Sequence, residues 1–184
     1  MPDRAALVVI DVQRGLIEGF EEDWEHVLGV IADQIERARS AGAPVVLIHH
    51  CGSGAAHPLA PGATGWQLHP AIEARAEDLR VHKTWSDAFV ATDLHAQLQR
   101  TGVTRLVVTG AQTEFCVDAT VRRAASLGYD VDLIADGHTT SANGVLTRDQ
   151  IVAHHNATLP ALACPGSTLR AVAANAVGWP TTAR

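Results

Sequence analysis

Three side chains that could do chemistry together, Asp11, Lys83 and Cys116, lie at or just beyond the carboxyl ends of segments with strand character. In open α/β sheets, ligands bind in the crevice outside those strand ends. A thiol can act as a nucleophile, a carboxylate can accept its proton, and an ammonium group can stabilise the resulting anion. The spacing therefore predicts one site at a sheet edge where the three groups meet.

The thiol of Cys116 needs help to react, because a free cysteine with a pKa of about 8.5 is only a few per cent ionised at neutral pH. Lowering that pKa to about 6.5 requires roughly 2.7 kcal/mol, whereas a helix N-terminus supplies only about 0.3 to 1 kcal/mol. Lys83 could supply the remainder. Asp11, as proton acceptor, would instead let the sulfur stay neutral at rest and become anionic only during attack. We predict Asp11 as general base and Lys83 as its electrostatic partner.

Backbone N–H groups at the start of the helix that contains Cys116 point toward the same space. Those of Gln112 and Cys116 are the predicted oxyanion hole for a tetrahedral intermediate on a carbonyl substrate. Gly110, in the preceding loop, suggests an unusual backbone turn there. Acyl transfer is the reaction class that this arrangement favours.

The elements that must position these groups alternate along the chain. Buried apolar runs or weaker strand patterns occupy 5–10, 45–49, 79–83, 105–109, 129–135 and 167–173. Helical spacing occupies 25–40, 71–77, 92–100, 116–127 and 147–162, with Thr147 as an N-cap. This alternation predicts a Rossmann-like three-layer αβα sandwich around a mostly parallel sheet. Residues 51–70, rich in Gly and Pro, are predicted to form a long loop that frames the site.

Length and composition exclude several classes of protein. A chain of 184 residues fits a single domain, 1–184. The net charge of −6 and the scattered basic residues argue against nucleic acid as a partner. No apolar run is long enough to span a membrane and no signal peptide is recognisable, so we expect no membrane partner and a cytoplasmic location. Three cysteines without a CxxC pair indicate neither a disulfide framework nor a thiolate zinc site.

Four segments, 6–13 (ALVVIDVQ), 82–89 (HKTWSDAF), 107–117 (VVTGAQTEFCV) and 135–140 (ADGHTT), together resemble the isochorismatase-like cysteine hydrolases. The resemblance covers nearly the whole chain and places that family's catalytic triad on Asp11, Lys83 and Cys116. It implies the isochorismatase-like hydrolase fold and C–N bond cleavage of a small amide, lactam or carbamoyl compound through a thioester, without a cofactor. It also implies a non-proline cis peptide between Ala111 and Gln112, and a homo-oligomer, either a dimer or a tetramer.

Two departures from the family pattern narrow the function. Nicotinamidases of the family bind a metal through an Asp-x-His pattern after the second strand, where this chain has His49, His50 and Cys51. The histidines of this region, His49, His50, His57 and His69, match no familiar metal-ligand spacing, so we predict no metal site. Members that cleave the vinyl ether of isochorismate need no thiol, so Cys116 disfavours that activity. It stays an alternative, as does a non-catalytic binding or scaffold protein that retains the fold.

Aromatic residues concentrate in the loops at the predicted active edge, where pocket walls are often aromatic. The candidate substrate-binding residues are Gln13, Phe20, Trp66, Trp85 and Phe115. Trp85 and Phe115 are the strongest candidates, because each is close in sequence to a catalytic candidate. Ordinary loop packing is the alternative for each aromatic residue, and support of Asp11 or a helix cap is the alternative for Gln13.

Overall fold

The computed structural model of the chain describes residues 4–18 and 24–180. Six strands form one sheet, and each pairs with its neighbours in parallel. The strands are β1 (Ala5–Ile10), β2 (Val45–His50), β3 (Leu79–Lys83), β4 (Arg105–Ala111), β5 (Asp130–Thr139) and β6 (Leu169–Val172). Their order in the sheet is β3-β2-β1-β4-β5-β6. The predicted α/β fold with a mostly parallel sheet is confirmed, and the sheet proves to be entirely parallel.

Helices cover both faces of the sheet. They are α1 (Arg14–Ile17), α2 (Glu25–Ser40), α3 (Leu94–Arg100), α4 (Asp118–Ser126) and α5 (Arg148–Thr158), together with short 3₁₀ turns at Thr64–Trp66, Leu159–Ala161 and Ala174–Ala176. One core packs α2 against the face that includes Leu7 and Val9, and the other packs α3 and α4 against the face that includes Ala6 and Val8. This alternation explains why β1 is apolar at every position, since both of its faces are buried.

The strand order reverses between β1 and β4, which lie side by side at the centre of the sheet. At such a switch point the loops after the two strands diverge to opposite faces, and this leaves a crevice where ligands bind. Asp11 follows β1 directly, and Cys116 follows β4 after a short turn. Lys83 is the last residue of β3. All three residues therefore lie at the carboxyl edge of the sheet, as the sequence predicts.

The strand predicted over 129–135 extends to Thr139, the helix predicted over 147–162 ends at Thr158, and two other predicted elements differ in kind from the observed ones. The helix predicted over 71–77 is absent, and the segment forms turns in which Asp78 Oδ2 accepts a hydrogen bond from the Arg75 N–H group. A segment of this length is shorter than an isolated helix needs, so a local turn bond competes successfully. The helix predicted from Cys116 instead begins with a π-helical turn over Thr113–Val117 that continues into α4. The N-cap at Thr147 is confirmed, with a complete capping box to Gln150.

Gly110 lies where β4 approaches β1 closely. Its φ of +122° confirms the predicted unusual backbone, and a Cβ atom there would lie 2.1 Å from the carbonyl oxygen of Ile10. Only glycine fits this position, which brings the loop after β4 next to the loop after β1. Within 4–18 and 24–180, no helix combines the length and the apolar character that crossing a membrane requires.

Candidate active site

The side chains of Asp11, Lys83 and Cys116 meet at the carboxyl edge of the sheet. Lys83 Nζ lies 2.6 Å from Asp11 Oδ2 and donates a hydrogen bond of 3.1 Å to Cys116 Sγ. The ammonium therefore contacts the carboxylate and the sulfur at the same time. The juxtaposition predicted from three distant parts of the sequence is what the structure contains.

Backbone geometry at the end of β1 fixes the position of the carboxylate. Asp11 has a φ of +52°, a left-handed conformation that costs a non-glycine residue about 1 kcal/mol or more. Its N–H group donates to the carbonyl oxygen of Ile48, and its own carbonyl oxygen accepts from the N–H group of Gln13. Such conformations persist where the surrounding structure determines them and are concentrated at functional sites.

Burial governs the electrostatics of the cluster, because Asp11 and Lys83 are both almost fully buried and Cys116 is partly buried. Removal from water raises the pKa of Asp11, while the ion pair with Lys83 and a hydrogen bond from Cys116 oppose that rise. Burial and the charge of Asp11 raise the pKa of Cys116 to about 12, against a smaller lowering by Lys83. The thiol is thus neutral at rest. Of the two states considered from the sequence, these pKa shifts favour the thiol that is neutral at rest, because desolvation and Asp11 outweigh the Lys83 ammonium.

His50 is a further member of the cluster, and the sequence predicts no role for it in the site. Lys83 Nζ lies 3.3 Å from its Nδ1 atom, so the ammonium has polar partners at Asp11, Cys116 and His50. Burial and the nearby ammonium lower the pKa of His50, which favours the neutral imidazole with Nδ1 as acceptor. Its place at the end of β2, paired in register with Lys83, is the signal that could have revealed it.

Asp11, His50 and Cys116 each offer one potential metal-ligand atom, and the three atoms lie within 4.8 Å of one another. The Lys83 ammonium is within hydrogen-bond or ion-pair distance of all three residues. The positive charge of Lys83 therefore lies where a metal ion bound by these residues would have to bind. A metal could enter only if the ammonium moved away.

A family model identifies the domain. The model of the isochorismatase domain matches residues 5–159, which include Asp11, Lys83 and Cys116. The chain belongs to the isochorismatase family of hydrolases. The family resemblance of the four sequence segments is thereby confirmed.

Relatives within the isochorismatase family include curated proteins and solved structures. A streptothricin hydrolase of Streptomyces noursei is 41% identical over 137 residues, which cover 73% of this chain and 54% of that protein. An uncharacterised isochorismatase family protein of Bacillus subtilis is 31% identical, with 74% of this chain and 78% of that protein covered. A hydrolase of the isochorismatase family from Chromobacterium violaceum, known from a crystal structure, is 26% identical in sequence to this chain. The two structures superpose with a TM-score of 0.81 over 94% of this chain and 90% of that protein. The chain spans about half the length of the streptothricin hydrolases that it matches.

The segment between β4 and the nucleophile candidate has the backbone that the isochorismatase resemblance implies. The peptide bond between Ala111 and Gln112 is cis, which confirms that prediction. The carbonyl oxygen of Gln112 accepts hydrogen bonds from the N–H groups of Phe115 and Val117, and this closes the π-helical turn. The oxyanion hole assigned to the N–H groups of Gln112 and Cys116 stays a prediction.

Gln13 has a structural role in this isochorismatase-family site, and a substrate contact by its side chain stays a prediction. Its side chain is fully buried. Oε1 accepts from the N–H group of His50, and Nε2 donates to the carbonyl oxygens of His50 and Trp66. Every polar atom of the amide therefore has a backbone partner, and the side chain fastens the end of β2 to the loop that follows it.

The aromatic candidates divide into exposed and packed residues. Trp85 follows Lys83 closely in the sequence, and Phe115 precedes Cys116. Their side chains are 62% and 53% exposed, so both are accessible from solvent. Trp66 packs against the rings of His49 and His82, and its Nε1 group donates to Cys51 Sγ. Substrate contacts by Trp66, Trp85 and Phe115 stay predictions. Phe20 lies outside the described residues.

The remaining histidines of the loop region bond locally or pack in the core. Nδ1 of His57 accepts from the N–H group of Leu59, and Nδ1 of His69 accepts from the N–H group of Ala71. His49 is buried between Trp66 and His82, and burial lowers its pKa from 6.5 to about 4. His49 is therefore neutral in the folded protein at pH 7.

Acid should destabilise the protein through His49. Because its pKa is lower folded than unfolded, the neutral ring contributes full stability above pH 6.5, and that contribution is lost as the pH falls through 4. We expect His49→Phe to reduce the slope of unfolding free energy against pH near pH 5 by about 1 kcal/mol per pH unit. Urea denaturation between pH 4.5 and 7.5 measures both slopes. Parallel curves for the two proteins would contradict the assignment.

Proposed function

We propose that the chain is a cysteine hydrolase that cleaves the C–N bond of a small amide, lactam or carbamoyl compound through a thioester intermediate. The observation that carries the proposal is the Lys83 ammonium, 2.6 Å from Asp11 and 3.1 Å from Cys116 Sγ. Two buried, oppositely charged groups around one thiol are expensive to desolvate, and such arrangements are concentrated at catalytic sites.

The acylation step begins with a neutral thiol. Asp11 accepts the proton of Cys116 as the sulfur attacks the substrate carbonyl carbon, and the carbonyl oxygen becomes an oxyanion. We assign the stabilisation of that oxyanion to the N–H groups of Gln112 and Cys116. The tetrahedral intermediate then expels the amine, which takes the proton from Asp11, and a thioester remains on Cys116.

The deacylation step uses the same groups in reverse. Asp11 accepts a proton from a water molecule that attacks the thioester carbonyl, and the sulfur leaves and recovers that proton. The products are a carboxylic acid and an amine, and the enzyme returns to its starting state. Lys83 contacts both side chains, so its ammonium group stabilises whichever of Asp11 and Cys116 is negative at each stage.

The streptothricin hydrolases support an amide or lactam substrate. One of these hydrolases is 41% identical to this chain over 137 residues, which cover 73% of the chain. Because the chain covers only about half of that protein, the activity of the whole relative does not transfer directly. The proposal is therefore limited to the bond type and to small substrates.

Trapping the acyl-enzyme tests this proposal. The chain is mixed with a panel of small amides, lactams and carbamoyl compounds, quenched in acid and measured by intact mass and peptide mapping. We expect an adduct on Cys116 and none on Cys51 or Cys164. A lactam adds its whole mass, because the amine stays attached after ring opening, whereas an open-chain amide adds its mass less that of the released amine.

The same measurement separates the alternatives. Hydrolysis without any adduct on Cys116, and unaffected by thiol alkylation, would contradict the thioester and favour a vinyl-ether type of chemistry. Reversible binding with neither an adduct nor turnover across the panel would favour a binding protein that retains the fold.

A further inference from the structure

A second polar cluster joins Thr113, the first residue of the nucleophile turn, to His138 and Asn156. His138 Nδ1 lies 2.8 Å from Thr113 Oγ1, and His138 Nε2 lies 3.0 Å from Asn156 Oδ1. Asn156 Nδ2 donates in turn to the carbonyl oxygen of Ala135. Thr113 and His138 are almost completely buried. The chain of contacts connects helix α5 and strand β5 with the first residue of the turn that contains Cys116.

The donor and the acceptor of each hydrogen bond in this series follow from the last bond, between Asn156 and the carbonyl oxygen of Ala135. A backbone carbonyl can only accept, so the Ala135 oxygen fixes the amide nitrogen of Asn156 toward itself and leaves Oδ1 as an acceptor. His138 must then donate from Nε2, and in the neutral ring that its low pKa favours, Nδ1 carries no proton. The hydroxyl of Thr113 therefore donates to Nδ1. The arrangement requires a neutral imidazole, and burial lowers the pKa of His138 to about 4.

We propose that Asn156, His138 and Thr113 form a directional hydrogen-bond relay that positions the nucleophile turn, so that all three are positioning residues for Cys116. The proposal rests on the proposed cysteine hydrolase function only for its turnover readout. Thr113 begins the turn whose fourth residue is Cys116, and the bond to His138 is a side-chain anchor of that turn to another element. None of the three is placed in contact with the reacting atoms.

Loss of the anchor should misplace the sulfur relative to Lys83 and Asp11 while leaving the substrate pocket largely unchanged. Misplacement of a reacting group by about 1 Å can cost roughly 100-fold in rate. The expected signature is therefore a fall in kcat with little change in KM. A merely structural role would change stability without this split.

The hydroxyl of Thr113 is tested by a pair of matched substitutions. Thr113→Val keeps the shape and removes the donor, and we expect kcat to fall about 10- to 100-fold with KM within about 3-fold. Thr113→Ser restores the donor and should recover kcat to within about 3-fold of the parent. Thr158→Val makes the same change on the exposed face of α5, where the hydroxyl bonds only within its helix, and should match the parent.

The direction of the relay is tested by Asn156→Asp, which replaces one nitrogen with oxygen. A carboxylate beside Nε2 favours the imidazolium, and protonation of Nδ1 would prevent Thr113 from donating to it. We expect kcat of this variant to acquire a new ionisation between about pH 5 and 8, with activity higher on the alkaline side. Other titratable or charged groups face the same region from β5, α2 and α5: Asp136, His26, Arg148, Asp149 and His155. All of them are unchanged in the variant.

Alkylation of Cys116 by iodoacetamide, followed by peptide mapping, tests positioning without a substrate. Slower alkylation of Thr113→Val, with recovery in Thr113→Ser, would support the relay even if no amide in the panel were hydrolysed. Equal kcat and equal alkylation rates for Thr113→Val and the parent would overturn it. So would a Thr113→Ser variant as impaired as Thr113→Val. If Thr113→Val failed to fold, the pH profile of Asn156→Asp would decide between the outcomes. A new ionisation in kcat would support the relay, and its absence would overturn it.

Discussion

Replacement of Cys116 by alanine is expected to lower turnover by at least about 10,000-fold, because the side chain that forms the covalent intermediate is gone. The side chain is partly buried and bonds to Lys83, so the smaller alanine should leave the fold intact. Turnover of a substrate identified by adduct trapping measures the activity, and circular dichroism measures the fold. The adduct at this position should disappear with the activity.

Cys164→Ala is the matched control for this experiment. Cys164 is also partly buried, packs against the same core, and lies before Pro165 rather than beside an acid and an amine. We expect this variant to keep parental turnover and the adduct on Cys116. Full activity in Cys116→Ala would show that another group performs the attack.

Replacement of Asp11 by asparagine is expected to lower turnover by about 100- to 10,000-fold, because the proposed mechanism uses this carboxylate to accept the thiol proton and return it to the leaving amine. The rate at which Cys116 is alkylated should not fall with turnover. Asp11 raises the pKa of Cys116 by its charge and by its hydrogen bond, so its removal leaves the thiol with the Lys83 ammonium and a lower pKa than in the parent. We expect alkylation of Cys116 near pH 7 to be at least as fast as in the parent while turnover is lost.

A second buried ion pair supplies the control for the loss of charge. Asp132 is almost fully buried and lies 2.6 Å from Arg105 and 2.7 Å from Arg170, near the opposite end of the sheet. Asp132→Asn should lose stability, as Asp11→Asn does, because each removes the negative charge that pairs with a buried cation. Only Asp11→Asn should lose turnover. Loss of turnover and of alkylation together in Asp11→Asn, or near-normal turnover, would reduce Asp11 to a structural role.

The neutral thiol has a consequence for specificity. A standing thiolate reacts with any accessible electrophile, whereas a thiol that loses its proton only as Asp11 accepts it reacts when a carbonyl group is already in place. Burial around the Asp11–Lys83 pair is what maintains this state.

Several expectations stay predictions. The homo-oligomer, the small-molecule substrate and the cytoplasmic location follow from resemblance and composition, and so do the absence of nucleic acid, membrane and cofactor partners. Light scattering of the purified chain would decide the oligomeric state.

The sequence by itself determined the layered α/β architecture and the types of residue at the strand ends. The six apolar residues of β1 and the spacing of Leu28, Ile31 and Ile35 in α2 are local patterns, and local patterns record which faces are buried. Asp11, Lys83 and Cys116 could be brought together by reasoning because parallel strands present their carboxyl ends at one edge. That rule needs only the strand boundaries.

Only the tertiary structure decided how those residues behave. The high pKa of Cys116 arises from burial next to Asp11, and the roles of Gln13 and His50 arise from the pairing of β2 with its neighbours and the loop beyond it. The relay from Asn156 through His138 to Thr113 joins three elements that no periodicity connects. Side-chain contacts and desolvation depend on strand order and close packing across the chain, and neither quantity is contained in the local pattern of any one segment.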